Sequence, residues 1–282
     1  RVHRAITGYD NYRQFPVLSL ASLQHLLAAD IGHFQIGNHR VEFFISFYDY
    51  YQPESYLPTT DMYIEKDADV NEQIEKMRMH AVSSLLSRSD TIVVASISCI
   101  YNLGNPEDYK SMAVELAVGN EMKRQDLLNS LVDMQYERND MAPDAGRFRV
   151  RGNVVDVIPA YEKNILRIEL EGNKISKLKE IDFLTGDSIV SVDKITLYPA
   201  KQYVVPEAKQ KRALEQIRAD LAKRLPELPE LEAQRLKQRT NYDLEMIKEV
   251  GYCKGIENYS MYFDGRKSGE PPFVLIDYFP KD

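Results

Sequence analysis

A short segment near residue 50 is crowded with aromatic side chains, and rings at this density can stack on nucleobases. Its six aromatic residues are Phe47, Tyr48, Tyr50, Tyr51, Tyr56 and Tyr63. In a strand, alternate residues point to opposite faces, so both faces would mix rings with a polar side chain such as Asp49 or Gln52. Burying an unpaired Asp49 would be costly, and Pro53 and Pro58 disfavour a central strand. The pattern therefore favours a projecting hairpin or loop.

The residues alone leave three interpretations of this aromatic segment open. Tyrosine stacks on any base, at roughly 1–3 kcal/mol per base, and an apolar wedge can hold two DNA strands apart. The same rings could instead form a protein-binding surface. They could also pack into a core as a half-buried strand, where aromatic residues are favoured.

A second group of charged residues lies on two predicted strands further along the chain. In each strand the charged residues alternate with apolar ones, so they share one face of a sheet. If the strands are neighbours, that face presents Arg149, Arg151, Arg167 and Glu169. An ordinary solvated face is one interpretation, and a protein-docking surface is the other. A phosphate site is less favoured, because Glu169 would repel phosphate.

The first part of the chain predicts an α/β sheet. Val41–Ser46 reads as a buried strand. A helix is predicted from about Val70 to Ser87, with Ile74, Met77, Ala81 and Leu85 on one apolar face. The apolar run Thr91–Ile97 follows, and it predicts a parallel strand buried on both faces. Asn105 precedes a proline and two acids, which indicates the start of another helix.

The middle of the chain predicts a small α+β domain, residues 112–205, inserted into the first. A helix is expected around Gln125–Asp133, and turn residues such as those at Gly152 and Gly172 separate several short strands. The predicted strands are Phe148–Val150, Val154–Ile158, Ile165–Leu170, Ile175–Leu178 and Ile195–Tyr198.

Residues 206–282 predict two helices and a return to the sheet. One apolar stripe is predicted for Leu214, Ile217, Leu221 and Leu225, and another for Tyr242, Met246 and Val250. Pro226 and Pro229 separate the two helices. The run Phe273–Phe279 reads as a strand, and its place near residue 282 leads us to expect a truncated chain.

Composition narrows the classes of protein that fit. The formal net charge is -7 over 282 residues, and the pI is near 5.4. Proteins that hold DNA mainly through phosphates are usually basic, so aromatic contacts and a few local cations would have to bind DNA here. Two distant cysteines, Cys99 and Cys253, and the lack of a membrane-length apolar run favour a reducing, cytoplasmic setting.

Known catalytic motifs do not occur in the sequence. GxxxxGK[ST], HExxH and GxSxG are all missing, and the Cys and His residues lack zinc-site spacing. We therefore predict no catalytic residues, no metal site and no bound cofactor in this chain.

The aromatic segment is also where the chain resembles a known family. The stretch FFISFYDYYQPESYLPTTDMYIEKDADVNEQIEKMR is similar to the β-hairpin region of the UvrB family, from the bacterial UvrABC excision system. The likeness continues through VVASISCIYNLGNPEDY, RFRVRGNVVDVIPAYE, LKQRTNYDLEMI and GYCKGIENYSMYFDGR to LIDYFP. It covers about residue 39 to the end, in the order and spacing of the family.

The resemblance implies a fold and a division into segments. Residues 39–111 would form part of a helicase-like parallel-sheet core, incomplete here, from which an aromatic β-hairpin projects at about residues 46–67. Residues 112–205 would be the inserted domain that docks on UvrA, and residues 206–282 would return to the core. Residues 1–38 do not match the family.

The resemblance also implies site residues. Tyr48, Tyr50, Tyr51 and Tyr56 match the hairpin tyrosines of the family, and Phe47 stands where a tyrosine is usual. Tyr63 and Lys66 match the returning strand of the hairpin, and Arg78 matches a DNA-facing position on a helix. The UvrA-docking surface would comprise Arg138, Arg149, Arg151, Arg167 and Glu169.

By resemblance, the function is damaged-DNA binding and verification in nucleotide excision repair. UvrA would load the protein on damaged double-stranded DNA, and UvrC would then make the incision. ATP and Mg²⁺ are expected for an intact family member, but this chain lacks the P-loop and stops before the expected Walker B motif. We therefore expect neither ATP hydrolysis nor DNA cleavage from it. The alternative is a UvrA-docking fragment that does not bind DNA by itself.

Overall fold

The computed structural model describes most of the chain beyond residue 33. The described ranges are 34–36, 39–46, 48–52, 55–57, 62–64, 67–70, 72–142 and 144–280. Between residues 47 and 71 the description concerns the backbone of four strands. The α/β class is confirmed, because the described residues combine helices with several sheets. None of the described helices is long and apolar enough to cross a membrane.

The first sheet has three strands, β1 (Phe34–Ile36), β2 (His39–Phe44) and β7 (Thr91–Ala95), in the order β1-β2-β7. β7 runs parallel to β2, and helix α1 (Glu72–Ser87) makes the crossover between them. The predicted apolar face of α1 is confirmed, since Met77, Ala81 and Leu85 are buried, and α1 packs on Phe44.

β7 differs from its prediction in burial. The parallel pairing is confirmed, but the expected burial on both faces is wrong for the part of the chain that the structure describes. Val93 packs against the core, whereas Ile92 and Val94 are 37% and 45% exposed. The reason is that no described element covers the face of β7 that carries Ile92 and Val94.

Four short strands form two antiparallel pairs between β2 and α1. They are β3 (Tyr48–Gln52), β4 (Ser55–Leu57), β5 (Met62–Ile64) and β6 (Asp67–Val70). β3 pairs with β6, and β4 pairs with β5, which is the nesting of a hairpin. The register shifts between Tyr48 and Tyr50, so Asp49 is a bulge residue, and the regular alternation assumed from the sequence does not hold there.

The middle of the chain forms a six-stranded sheet beside a helix. Helix α2 (Pro106–Met112) leads into it and is capped by the side chain of Asn105, as predicted. Helix α3 (Arg124–Asp133) packs against one face of the sheet through Leu127 and Leu131. The strands are β9 (Glu137–Arg138), β10 (Arg147–Arg151), β11 (Val154–Ile158), β12 (Ile165–Glu171), β13 (Lys174–Ile181) and β14 (Ser188–Val192).

The order in that sheet is β14-β13-β12-β11-β10-β9, so β10 to β14 form an antiparallel meander. A separate pair joins β8 (Val114–Ala117) to β15 (Lys194–Leu197). The five strands predicted for this region are all present. β8, β9 and β14 were not predicted, because they are short and β14 is mostly exposed.

Two long helices follow, α4 (Glu207–Arg224) and α5 (Glu230–Val250). Pro226 and Pro229 lie between them, as predicted, and Gly251 ends α5 in the left-handed conformation, with φ of 79°. The first predicted stripe holds in part, because Leu214 and Ile217 are buried.

The stripe predicted on α5 is wrong for Tyr242 and Val250, whereas Met246 packs against the core as predicted. Tyr242 and Val250 are 62% and 54% exposed, and Leu244 and Ile247 face the core with the polar Asp243. Asp243 is tolerated there because the hydroxyl of Tyr259 donates to its Oδ2 at 2.7 Å. Short helix α6 (Ser260–Asp264) completes this unit.

The strand predicted for Phe273–Phe279 is also wrong, because a 3₁₀ turn occupies Leu275–Tyr278. Asp277 Oδ2 accepts a hydrogen bond from the backbone N–H of Val274 at 2.8 Å, which favours the turn. The buried hydroxyl of Tyr278 donates to the carbonyl oxygen of Leu103 at 3.1 Å. The apolar side chains of this run therefore hold a turn against helix α1 and the segment that follows β7.

Candidate nucleic-acid and protein interfaces

The hairpin brings the predicted tyrosines onto paired strands. Tyr48, Tyr50 and Tyr51 lie on β3, opposite β6. Tyr56 on β4 is the Cα partner of Tyr63 on β5. The residues predicted beside them, Phe47 and Lys66, lie outside the described residues.

Arg78 is placed under the base of the hairpin and not on an open surface. It is 2% exposed, and its guanidinium carbon lies 3.8 Å from the ring centroid of Phe44. Its Nη1 donates to the carbonyl oxygen of Ile45 at 2.7 Å and to Ser98 Oγ at 2.9 Å. Its Nε donates to Gln202 Oε1 at 3.2 Å. A direct DNA contact by Arg78 stays a prediction, and it would require these bonds to be exchanged.

A cleft of about 680 Å³ opens beside this arginine. Its wall combines polar groups from the first sheet, the end of the inserted region and the helical unit, including Ser46, Ser98, Asn102, Gln202 and Tyr203. The Nε2 atom of Gln202 and the hydroxyl of Tyr203 are buried without a hydrogen-bond partner among the described residues. Buried polar groups are normally paired, so these two atoms are suited to a polar ligand.

The predicted face with Arg149, Arg151, Arg167 and Glu169, called the arginine face below, is present on the six-stranded sheet. β10, β11 and β12 are neighbours, and Arg149, Asp156 and Arg167 occupy paired positions across them. The opposite face carries the core residues Phe148 and Ile168, so the alternation of charged and apolar residues is confirmed.

Asp156 lies in the middle of this face and is 2% exposed. Arg149 Nε and Nη2 each lie 2.9 Å from its Oδ2. Arg167 Nε donates to Oδ1 at 2.7 Å, and Arg167 Nη2 donates to Oδ2 at 3.0 Å. Burial alone would raise the pKa of Asp156, but the hydrogen bonds from Arg167 and Arg149 hold this pKa below its usual range.

A second ion group extends the face toward β13. Glu169 accepts from Lys179 Nζ at 3.0 Å and lies 3.8 Å from Lys177 Nζ. Hydrogen bonding from Lys179 lowers the pKa of Glu169. Lys177 has a side chain 61% exposed, and Arg151 is exposed at the end of β10. The acid that would repel phosphate is thus already neutralised within the face.

Arg138 is set apart from this group, on edge strand β9. Its side chain is 51% exposed and pairs with Asp140, with Nη2 2.8 Å from Oδ2. Asp140 Oδ1 also accepts from the backbone N–H of Val150 at 2.9 Å, which fixes the segment beside β10. The five predicted docking residues therefore occupy one sheet. Arg149 and Arg151 lie on β10 and Arg167 and Glu169 on β12, so the two predicted strands are not direct neighbours but flank β11.

Sequence reasoning missed Asp156 and the two lysines of β13. The alternation that placed Arg149 and Arg167 on one face also places Asp156 there within Val154–Ile158, so the signal was available. Gln202 and Tyr203 gave no such signal, because only the fold brings them to Arg78. Among the described residues, no group of His, Cys, Asp and Glu side chains has the geometry of a metal site.

Comparison with known protein families identifies the family of the chain. The model of the UvrB interaction domain matches residues 114–203, and that of the UvrB third helical domain matches residues 208–265. The chain belongs to the UvrB family. The first match contains every strand of the six-stranded sheet, and the second contains α5, α6 and all of α4 except Glu207.

Curated relatives give the same result over nearly the whole chain. UvrABC system protein B of Methanosarcina mazei is 53% identical over 269 residues, which is 95% of this chain and 40% of that protein. UvrABC system protein B of Enterococcus faecalis is 48% identical over 274 residues, 95% of this chain and 41% of that protein. The chain thus spans about two fifths of the length of these relatives.

Proposed function

We propose that the chain acts in nucleotide excision repair as the part of a UvrB protein that contacts damaged double-stranded DNA and docks on UvrA. The observation that carries this proposal is the match of the UvrB interaction domain to the region that contains the arginine face. The relatives are named as components of a UvrABC system, which supports the same process.

The hairpin supports the DNA-binding part of the proposal. Its strands carry five tyrosines in two antiparallel pairs, and aromatic rings are the groups that hold unpaired bases without sequence preference. The cleft beside Arg78 has a volume of about 680 Å³, within the range of roughly 300–1,000 Å³ common for ligand sites. The cleft therefore offers a second surface for a DNA strand, next to the base of the hairpin at Ser46.

The arginine face supports the docking part. Guanidinium groups are enriched in protein interfaces and contribute strongly where they are desolvated. Here Arg149 and Arg167 are held on a rigid sheet, and Arg151 and Lys177 extend the positive charge toward solvent. This arrangement fits a partner surface with acidic side chains.

The remaining steps are assigned to other components. In this proposal UvrA loads the protein on DNA, and UvrC makes the incision. ATP and Mg²⁺ would be used by an intact family member with a helicase-like core, not by the residues of this chain, which lacks GxxxxGK[ST].

Two measurements on the full chain test the proposal. A pull-down with purified UvrA should retain the chain, and the Arg149→Glu variant should not be retained. Photo-crosslinking to a damaged duplex in the presence of UvrA should label the tyrosine hairpin. Failure of UvrA to retain the unchanged chain would overturn the docking part.

A second candidate is a UvrA-docking module that does not bind DNA by itself. The net charge of -7 favours it, because little phosphate neutralisation is available. Retention by UvrA without any crosslinking at the hairpin would support this candidate over the first.

A further inference from the structure

Asp156 is the one acid at the centre of the arginine face, and its position is energetically unusual. Its neighbours on the same face of β11 are Val154 and Ile158, since alternate residues share a face. A carboxylate in such a place loses hydration, and that loss is recovered only by close, well-aligned partners. Arg149 and Arg167 are those partners, one from each adjacent strand.

Stability alone does not account for this arrangement. Replacing a buried ion group with apolar residues of similar volume is often neutral or stabilising. The rest of the same sheet shows that apolar packing is available, because Ile158, Ile165 and Ile181 form a small buried cluster nearby. A buried acid between two arginines is better explained by what it does to the arginines.

The contacts with Asp156 fix the distance between the two guanidinium groups and the orientation of each. Each arginine uses its Nε and Nη2 atoms on Asp156, and Nη2 of both groups meets the same Oδ2 atom. Among the described residues, neither Nη1 atom has a hydrogen-bond partner. Each guanidinium thus keeps one donor edge for a partner while the other edge is immobilised.

We propose that Asp156 is the positioning residue of the docking surface, which presents Arg149 and Arg167 as a preorganised pair to acidic side chains of UvrA. This inference rests on the proposed docking function. With 2% of its surface exposed, Asp156 contacts no partner itself and acts through the two arginines. Without its carboxylate the two cations repel each other, and each side chain must be reordered on binding.

A double-mutant cycle on the full chain tests this step. Affinity for purified UvrA is measured by calorimetry for the unchanged chain, Asp156→Asn, Arg149→Ala/Arg167→Ala and the triple variant. We expect Asp156→Asn to weaken binding about tenfold, and to add less than about twofold in the background without the arginines. Glu115→Gln is the matched control, because Glu115 pairs with Lys194 across β8 and β15 of the same region.

A second variant keeps the test decisive if Asp156→Asn does not fold, as judged by circular dichroism and thermal unfolding. Arg149→Lys keeps the positive charge but cannot make the two-atom contact with Oδ2. Positioning predicts a loss of affinity of about fivefold or more for Arg149→Lys. Unchanged affinity would show that charge alone matters and would overturn the inference.

The outcomes separate this inference from the function on which it rests. If removing both arginines leaves UvrA affinity unchanged, the docking function itself is wrong. If removing them weakens binding but Asp156→Asn does not, only the positioning role is wrong. A further large loss from Asp156→Asn in the arginine-free background would indicate a general structural role and would also overturn it.

Discussion

Arg78 donates a hydrogen bond from Nη1 to the carbonyl oxygen of Ile45 at 2.7 Å, three positions before the first hairpin strand begins at Tyr48. The same guanidinium is held by Ser98 and Gln202, which come from distant parts of the sequence. The base of the hairpin is therefore joined to the core and to the end of the inserted region through one side chain. Any movement of that region can reach the hairpin through this arginine.

Substitution of Arg78 should destabilise the fold as well as weaken DNA binding. Arg78→Ala leaves buried acceptors without a donor, so we expect a loss of about 2–4 kcal/mol in the free energy of unfolding. Urea unfolding followed by circular dichroism measures this change. Arg88→Ala is the control, because Arg88 forms an exposed pair with Asp90, and such pairs contribute roughly 0–1 kcal/mol. Equal effects of the two substitutions would contradict the positioning of the hairpin by Arg78.

The hairpin tyrosines should be needed for binding and not for folding. Tyr50→Ala or Tyr51→Ala should weaken UvrA-dependent loading on damaged duplex by about tenfold, in line with roughly 1–3 kcal/mol for each stacked base. Gel-shift titration measures loading, and thermal unfolding should be unchanged. Tyr242→Ala, at a tyrosine 62% exposed on α5, is the matched control. Normal loading by both hairpin variants would argue against a role of the hairpin tyrosines in holding the DNA strands.

Charge reversal on the arginine face should abolish docking. Arg149→Glu places a second acid beside Asp156 and removes one of its two partners, so UvrA retention should fall below detection in a pull-down. Arg151→Glu, at an exposed position, should weaken retention about tenfold or more while the fold is kept. Arg224→Glu on α4, an exposed arginine paired with Glu227, is the control. If Arg224→Glu has the same effect as Arg151→Glu, the loss reflects net charge and not this face.

Acid should remove the stabilisation that buried carboxylates provide. Burial alone would raise the pKa of Glu42, but hydrogen bonds and attraction from His80, with Ser84 and Arg40, leave this pKa below its usual range. The folded pKa lies below the unfolded value, so the stabilisation is present above about pH 5 and is lost as the pH falls through the folded pKa.

Glu42→Gln should therefore lower the free energy of unfolding at pH 7 by about 1–3 kcal/mol and flatten its decline at acid pH. Denaturant unfolding at a series of pH values between 7 and 3 measures both effects. Glu115→Gln, at a side chain that is 57% exposed, is the control for the loss of free energy of unfolding at pH 7. A Glu42→Gln variant with an unaltered slope would contradict this account.

Sequence periodicity correctly predicted the elements that bury one regularly spaced apolar face. The face of α1 and the strands of the meander alternate as regular elements do, so Met77, Phe148 and Ile168 were correctly placed in cores. β7 departed from its prediction because a continuous apolar run states only that a strand is apolar, and not which other elements cover it. On α5 the stripe failed because Tyr259 pairs with the buried Asp243, a contact that local sequence does not contain.

The candidate site was likewise predictable only where the local alternation of residues determines which face a side chain occupies. Arg149 and Arg167 were assigned to one face by alternation, and the docking role proposed for them rests on the family resemblance. The position of Arg78 could not be anticipated, since its partners Ile45, Ser98 and Gln202 are far apart in sequence. Tertiary contacts of this kind require the fold.

The arrangement of the inserted region also has a kinetic consequence. Its meander joins strands that are adjacent in the sequence, whereas the contacts that close the rest of the chain are remote, such as Arg78 with Gln202 and Leu103 with Tyr278. Local contacts form sooner, and closing a long flexible loop costs entropy. The meander should therefore fold first, and the pairing of β8 with β15 then holds the two ends of the region together, which shortens the search for the remote contacts. A slow-folding meander would delay the hairpin even when every hairpin residue is intact.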